Sequence, residues 1–91
     1  MLKKQPVEIK DLVYFRILGM PNDMFGIVTY INPFVEKDNN VSHVTRGRIV
    51  VANQETEATF TYNVITEELL LSGIFVGKWH SQAIVTGVLK S

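Results

Sequence analysis

Apolar and polar residues alternate along most of this chain with a period of two. The clearest run is Ala58 to Val64, where Ala58, Phe60, Tyr62 and Val64 interleave with Thr59, Thr61 and Asn63. A strand turns successive side chains to opposite faces, so the run predicts a half-buried strand with its even residues inward. A helix would scatter the same four residues around its circumference. The rest of the chain reads as further strands recruited to cover that apolar face.

From Val7 to Leu18 the odd residues Val7, Ile9, Val13, Phe15 and Ile17 form one apolar face, broken at Asp11. This predicts either one strand kinked near Asp11 or a short strand leading into a better one from Leu12 onward. Leu12, Tyr14 and Leu18 make the second half apolar on its other side too. That suits a strand inside the sheet, or one with a face given to a partner. Gly19-Met20-Pro21-Asn22-Asp23 is dense in turn formers and predicts a hairpin into a second strand, Met24 to Asn32. Gly26 has no side chain to pack, so a bulge or a close strand approach is expected there.

Pro33 ends that strand, and residues 33–45 lack a clean period, which reads as a long loop with the polar tip Glu36 to Asn40. Arg46 to Asn53 predicts a third strand, and Gln54 to Glu57 a turn into the strand centred on Phe60. Thr66-Glu67-Glu68 offers a cap for a helical turn through Leu71. A strand from Leu69 to Val76 is the preferred reading, because Gly73 and Gly77 would stop a helix within two turns. A last hairpin at Gly77-Lys78 or slightly later leads to a closing strand, Gln82 to Leu89.

Five or six short strands at regular spacing predict an all-β fold: a small antiparallel barrel, SH3-like or OB-like, or a compact sandwich. The 91 residues suffice for one domain, with a short N-terminal arm at residues 1–6. The run Asp11-Leu12-Val13-Tyr14-Phe15, followed after a turn by Phe25-Gly26-Ile27-Val28, resembles the opening strands of SH3-like barrels. The resemblance covers these two strands only and transfers no functional residue.

Composition narrows the functional classes. Hydrophobic residues make up 46% of the chain, the level of much larger domains, which implies apolar surface left outside a core this small. With no cysteine there is no disulfide scaffold, thiolate nucleophile or Cys-based metal site. Nine basic and nine acidic side chains cancel, without the cationic excess of a dedicated nucleic-acid binder. No apolar run has the length of a membrane span, and the start, with two lysines and no apolar run after them, is not a signal peptide. The expected location is intracellular, cytoplasmic or within a particle.

Candidate chemistry is sparse. His43 and His80 are the two histidines, and pairing either with Ser42 or Ser81 would join sequence neighbours that point to opposite strand faces, so no catalytic residue is assigned. The same histidines and the scattered carboxylates lack metal-ligand spacing, and no cofactor is implied. The expected function is a non-enzymatic protein-binding or assembly module: a homo-oligomeric subunit of a larger particle, a viral or phage particle included, or a small inhibitor of another protein. Strand edges that must be covered support it. The expected contact residues are Tyr30, Phe34, Arg46, Trp79 and His80, since large aromatics and Arg dominate binding hot spots. The competing role for Trp79 is a plug at a barrel end. The alternative function is a barrel that binds single-stranded nucleic acid through Arg46, Arg48 and surface aromatics, with Glu55 and Glu57 nearby to repel phosphate.

Overall fold

A computed structural model describes residues 6–33, 35–36, 41–76 and 79–91, with residues 35, 36, 75, 76, 79 and 80 described by their backbone alone. The strands are β1 (Leu12–Ile17), β2 (Met24–Ile31), β3 (Val35–Glu36), β4 (Ser42–Val51), β5 (Gln54–Asn63), β6 (Glu68–Val76) and β7 (Trp79–Leu89). All belong to one antiparallel sheet, which closes into a six-stranded barrel in the order β1-β2-β4-β5-β6-β7 and back to β1. The described residues contain no helix. Of the two architectures the strand spacing allows, the protein adopts the barrel. Each long strand pairs with the next along the chain, and an even number of such strands leaves β7 antiparallel to β1, so the barrel closes without a crossover. Short β3 continues β2 along the same edge of β4, with Val35 opposite Val44 and Glu36 opposite His43.

Closure changes one expectation outright. The long strands do not present two open edges, because β7 pairs with β1 from Ile17↔Ala83 to Leu12↔Leu89. A second difference concerns residues 33–45. Val35, Glu36 and residues 42–45 lie in β3 and β4, so much of the segment read as loop is strand. Its apolar and polar residues lack a period because its two pieces belong to different strands.

The turns follow from local chemistry. Lys10 has a left-handed backbone (φ 77), which makes the kink expected near Asp11 and starts β1 at Leu12. The β4–β5 connection is the two-residue turn Ala52–Asn53, with φ of 52 and 66, as a type I′ hairpin turn requires. The turn is therefore tighter than the Gln54–Glu57 stretch expected, and those four residues belong to β5. Asn63 ends β5 by accepting the backbone N–H groups of Ile65 and Thr66 on its Oδ1, each at 2.9 Å. This settles Glu68–Val76 as strand, with no helical turn before it.

The barrel is filled by Val7, Val13, Phe15, Ile17, Val28, Ile49, Val51, Ala58, Phe60, Leu69, Leu71, Ile74 and Ala83. The inward set alternates large with small, as a narrow barrel demands. Gly26 faces inward, where a Cβ would come within 2.7 Å of both the Ile49 side chain and the Val50 carbonyl oxygen. The close approach expected at Gly26 is present, and the bulge lies further along the strand.

Three bulges reset which residues face inward. In β2 the register slips between Val28 and Tyr30, in β6 between Ser72 and Ile74, and in β7 opposite Tyr14/Phe15, leaving Thr29, Gly73 and Thr86 as the extra residues. Gly73 takes φ 80 there, the left-handed position of a glycine bulge. Each slip moves the next inward residue by one place. Val28 is therefore followed by Ile31, Leu71 by Ile74, and Val85 by Val88, and Leu89, which unbroken alternation from Ala83 and Val85 would turn inward, faces out.

Candidate functional site: an apolar outer face on β7, β1 and β2

Apolar side chains on the outer wall line up across three neighbouring strands. Strand β1 buries Val13, Phe15 and Ile17 and therefore turns Leu12, Tyr14 and Arg16 outward. Register places Leu12 between Ile27 of β2 and Leu89 of β7, and Tyr14 between Phe25 and Gly87. Two parallel rows result, Leu89–Leu12–Ile27 and Gly87–Tyr14–Phe25. Phe25 is 60% exposed, Leu89 61%, Ile27 48% and Tyr14 39%. The Tyr14 and Phe25 rings lie 6.1 Å apart, tilted by 50°, a separation at which aromatic pairs attract. Singly exposed apolar residues are ordinary on a protein surface, whereas these stand next to one another across three strands, which makes this face the candidate site.

Gly87 is a gap in this face. A Cβ built on it meets nothing within 4 Å, so the surface beside Tyr14 is open at this position. Among the described side chains, Phe25, at the far end of the same row, is the most exposed aromatic.

The rim is polar and electrically balanced. Arg16 donates from Nε to Asp23 Oδ1 at 3.0 Å, and the Thr86 hydroxyl donates to the other Asp23 oxygen at 3.3 Å. On the β4–β5 side, Glu55 accepts from the Thr29 hydroxyl at 2.6 Å and pairs with Arg48 at 3.4 Å. The Thr29 hydrogen bond holds the Glu55 carboxyl below the usual range against the opposing effect of burial, with the Arg48 charge and hydrogen bond adding to it.

At the end of the face where residues 6–11 meet Lys90 and Ser91, Asp11 is only 2% exposed. Its Oδ2 accepts the Glu8 backbone N–H at 2.8 Å and the Lys90 ammonium at 2.8 Å, and its Oδ1 accepts the Ser91 N–H at 3.2 Å. Lys90 also donates to the Pro6 carbonyl at 3.1 Å. Burial on its own raises the Asp11 carboxyl. The hydrogen bonds from Lys90, Glu8 and Ser91 and the Lys90 charge outweigh it, so the group lies below the ordinary aspartate range. Asp11, the residue that breaks the apolar pattern of the first strand, is a clasp that ties β7 to the turn before β1.

The expected contact residues are not assembled in this face. Tyr30 is exposed, lies beyond the β2 bulge opposite Arg48, and donates its hydroxyl to Asn32 Oδ1. Arg46 is exposed on β4 opposite Thr59. It lines an open concavity of about 500 Å³ with Gly47, Glu57, Ala58, Thr59, Ser72 and Gly73. Phe34 lies outside the described residues. Trp79 and His80 are placed in β7 opposite Val76 and Phe75 by backbone alone, so the competing core and contact roles of Trp79 concern a side chain outside the described set.

Arg48, the second basic residue of the nucleic-acid alternative, has its charge offset by Glu55 and sits opposite Glu57 in the ladder. His43 lies in β4 opposite Tyr62, and its neighbour Ser42 points to the opposite face. Among the described residues no cluster of three or more His, Cys, Asp or Glu side chains has metal-holding geometry, and no helix is long and apolar enough to cross a membrane.

Sequence reasoning did not single out Leu12, Phe25, Ile27 and Leu89, which make up the apolar outer face. The signal present was the double apolar character of Leu12 to Leu18, which the structure resolves as one face inward and one face bare. No protein-family model matches the chain, and neither a curated protein nor a solved structure shows significant similarity to it.

Proposed function

We propose that this protein is a non-enzymatic protein-binding or assembly module that docks through the outer face of β7, β1 and β2. The observation that carries the reading is the pair of cross-strand rows, in which Leu12, Tyr14, Phe25, Ile27 and Leu89 face out together. Apolar area removed from water contributes about 25 cal/mol per Å², so a face of this kind gains free energy whenever a complementary surface covers it. The balanced rim adds orientation and does not select for a strongly charged partner. Docking by strand addition is not part of the proposal, since β1 and β7 satisfy one another.

The same surface suits a repeating subunit of a larger particle and an inhibitor that covers a partner, and stoichiometry separates the two. Chemical cross-linking of tagged protein in extract of its source cells is compared between wild type and Ile27→Lys. Ile27 is exposed, so the substitution changes fold stability by no more than about 0.5 kcal/mol. Cross-linked species that vanish in the variant support the docking face. Identical patterns from the two proteins rule it out.

A further inference from the structure

We infer that the first half of β5 is a docking edge for an extended segment of another protein, which adds to it as an antiparallel strand with a lysine or arginine against Glu57. This edge is separate from the outer face of β7, β1 and β2 and does not depend on it. The two ladders of β5 differ in length. Strand β5 pairs with β4 over its whole course, from Val51↔Gln54 to Ser42↔Asn63, but with β6 only from Thr59↔Ser72 to Asn63↔Glu68. The shorter ladder stops where Gly73 bulges between Ser72 and Ile74, and a bulge bends its strand and ends pairing. Residues 54–58 therefore have β4 on one side and, among the described residues, no strand on the other.

The alternation of hydrogen bonds fixes which backbone groups are left over. Val51 and Gln54 close the two-residue turn and exchange hydrogen bonds, and so do every second pair after them, Ile49↔Thr56 and Gly47↔Ala58. Glu55 and Glu57 then point their N–H and C=O groups away from β4, toward the side that β6 has left. Of these, the Glu57 carbonyl accepts the Thr56 hydroxyl at a long 3.4 Å. The open concavity of about 500 Å³ lies at this point, between Glu57, Ala58 and Thr59 on β5 and Ser72 and Gly73 on β6. Donors and acceptors at strand spacing, with space beside them, are satisfied by a second extended backbone, which is how strand addition works.

The side chains select the strand that fits. Glu55 and Glu57 are both exposed on the outer side of this edge. Glu55 is engaged by Thr29 and Arg48. Glu57 has no ion pair among the described residues, because the Arg48 guanidinium opposite it is held on Glu55. Residues directly opposite in an antiparallel pair share a face, and opposite charges there attract, so the partner residue facing Glu57 is basic. The same rule turns away a second copy, since two β5 edges in antiparallel register would set Glu55 and Glu57 against the same two acids.

The test uses the isotopically labelled wild-type chain and a blocked hexapeptide of alternating lysine and valine, followed by nuclear magnetic resonance. In the protein alone the Glu55 and Glu57 amides are expected to exchange rapidly with solvent, while Thr56 and Ala58, bonded to β4, exchange slowly. The peptide is expected to bind with Kd of about 1 mM or tighter. At about five times its Kd it should slow the Glu55 and Glu57 amides by about fivefold. Methylating the backbone nitrogens of the lysines removes the N–H groups that face β5 and should abolish binding, whereas methylating those of the valines, which face away, should leave it intact. Glu57→Gln, an exposed substitution, should weaken binding by about two- to fivefold, the share of an exposed cross-strand charge pair.

Glu55 and Glu57 amides that are already slow in the protein alone overturn the inference, because the edge is then covered. So does a peptide that leaves them unchanged at about 5 mM, equal loss of binding from the two methylation patterns, or a Glu57→Gln chain that binds as tightly as wild type. None of these results bears on the outer face of β7, β1 and β2, whose own test reads Ile27→Lys.

Discussion

Replacing Asp11 by alanine removes the clasp between the turn before β1 and the residues that follow β7, and the structure sets the size of the effect. Three donors converge on the carboxylate: the Glu8 N–H and Lys90 Nζ at 2.8 Å and the Ser91 N–H at 3.2 Å. A hydrogen bond to a charged group contributes about 1.5–3 kcal/mol when all its atoms are shielded from water. Here only the acceptor is shielded. The Lys90 side chain is 43% exposed and Ser91 is exposed, so both regain water when the carboxylate goes, and their shares must be cut accordingly.

The net cost is about 2 kcal/mol, well short of the sum of three buried bonds, and for a domain of this size it lowers Tm by about 10 °C. Lys90→Met leaves Asp11 its two backbone donors and costs about 1 kcal/mol. The double variant should cost less than the two together, because both act on one interaction.

The effect depends on pH with a definite sign. The folded-state carboxyl lies below its unfolded value. Its contribution is therefore complete above the unfolded pKa of about 3.9 and is lost as the pH falls through the lower folded value. Thermal melts of wild type and Asp11→Ala between neutral pH and about pH 2 should show the gap in Tm constant near neutrality and narrowing in acid below the unfolded pKa. Glu55, also lowered, is present in both proteins and cancels in the difference. A neutral-pH gap of less than about 2 °C, or one that does not narrow in acid, would refute the account of Asp11 as an ionised clasp.

Gly26→Ala is expected to destabilise by about 2 kcal/mol in urea unfolding, because its Cβ would press on Ile49 and on the Val50 carbonyl at 2.7 Å. Gly87→Ala, with open space around the added methyl, serves as the control and should stay within about 0.5 kcal/mol of wild type. Ala52→Gly should raise stability by about 0.5–1 kcal/mol, since alanine at φ 52 carries the left-handed penalty and that relief exceeds the entropy a glycine adds to the unfolded chain. Unfolding midpoints read at constant slope check both the gain and its size.

Much of the wall was legible in the residue pattern, and its weak points were those where two physical rules compete. Strand β5 follows its alternation because Thr59, Thr61 and Asn63 give a polar face that only solvent can accept, so Ala58 and Phe60 have one place to go. Strands β1 and β2 were ambiguous. Leu12 and Tyr14 are as apolar as Val13 and Phe15, and Phe25 and Ile27 outweigh Gly26 and Val28, so hydrophobicity alone points the wrong side of β2 inward. Close packing decides against it, because a barrel this narrow holds Gly26 against Ile49 and has no room for Phe25 in its place. The contact residues chosen for size and charge, Tyr30 and Arg46 among them, lie away from the apolar rows for a related reason: their choice rested on residue type, and the rows are made by register.

The order of apolar and polar positions by itself determined the all-β class, the places of most turns and the small number of places where chemistry was worth seeking. Each of these depends on neighbours a few residues apart, and the strand period and turn torsions are local properties. Closure of β7 onto β1, the one-residue slips at Thr29, Gly73 and Thr86, and the meeting of Leu89, Leu12 and Ile27 on one outer wall were decided only in three dimensions. They arise from pairing between residues as much as 77 positions apart, Leu12 with Leu89, and nothing local to either residue encodes that its partner will be there.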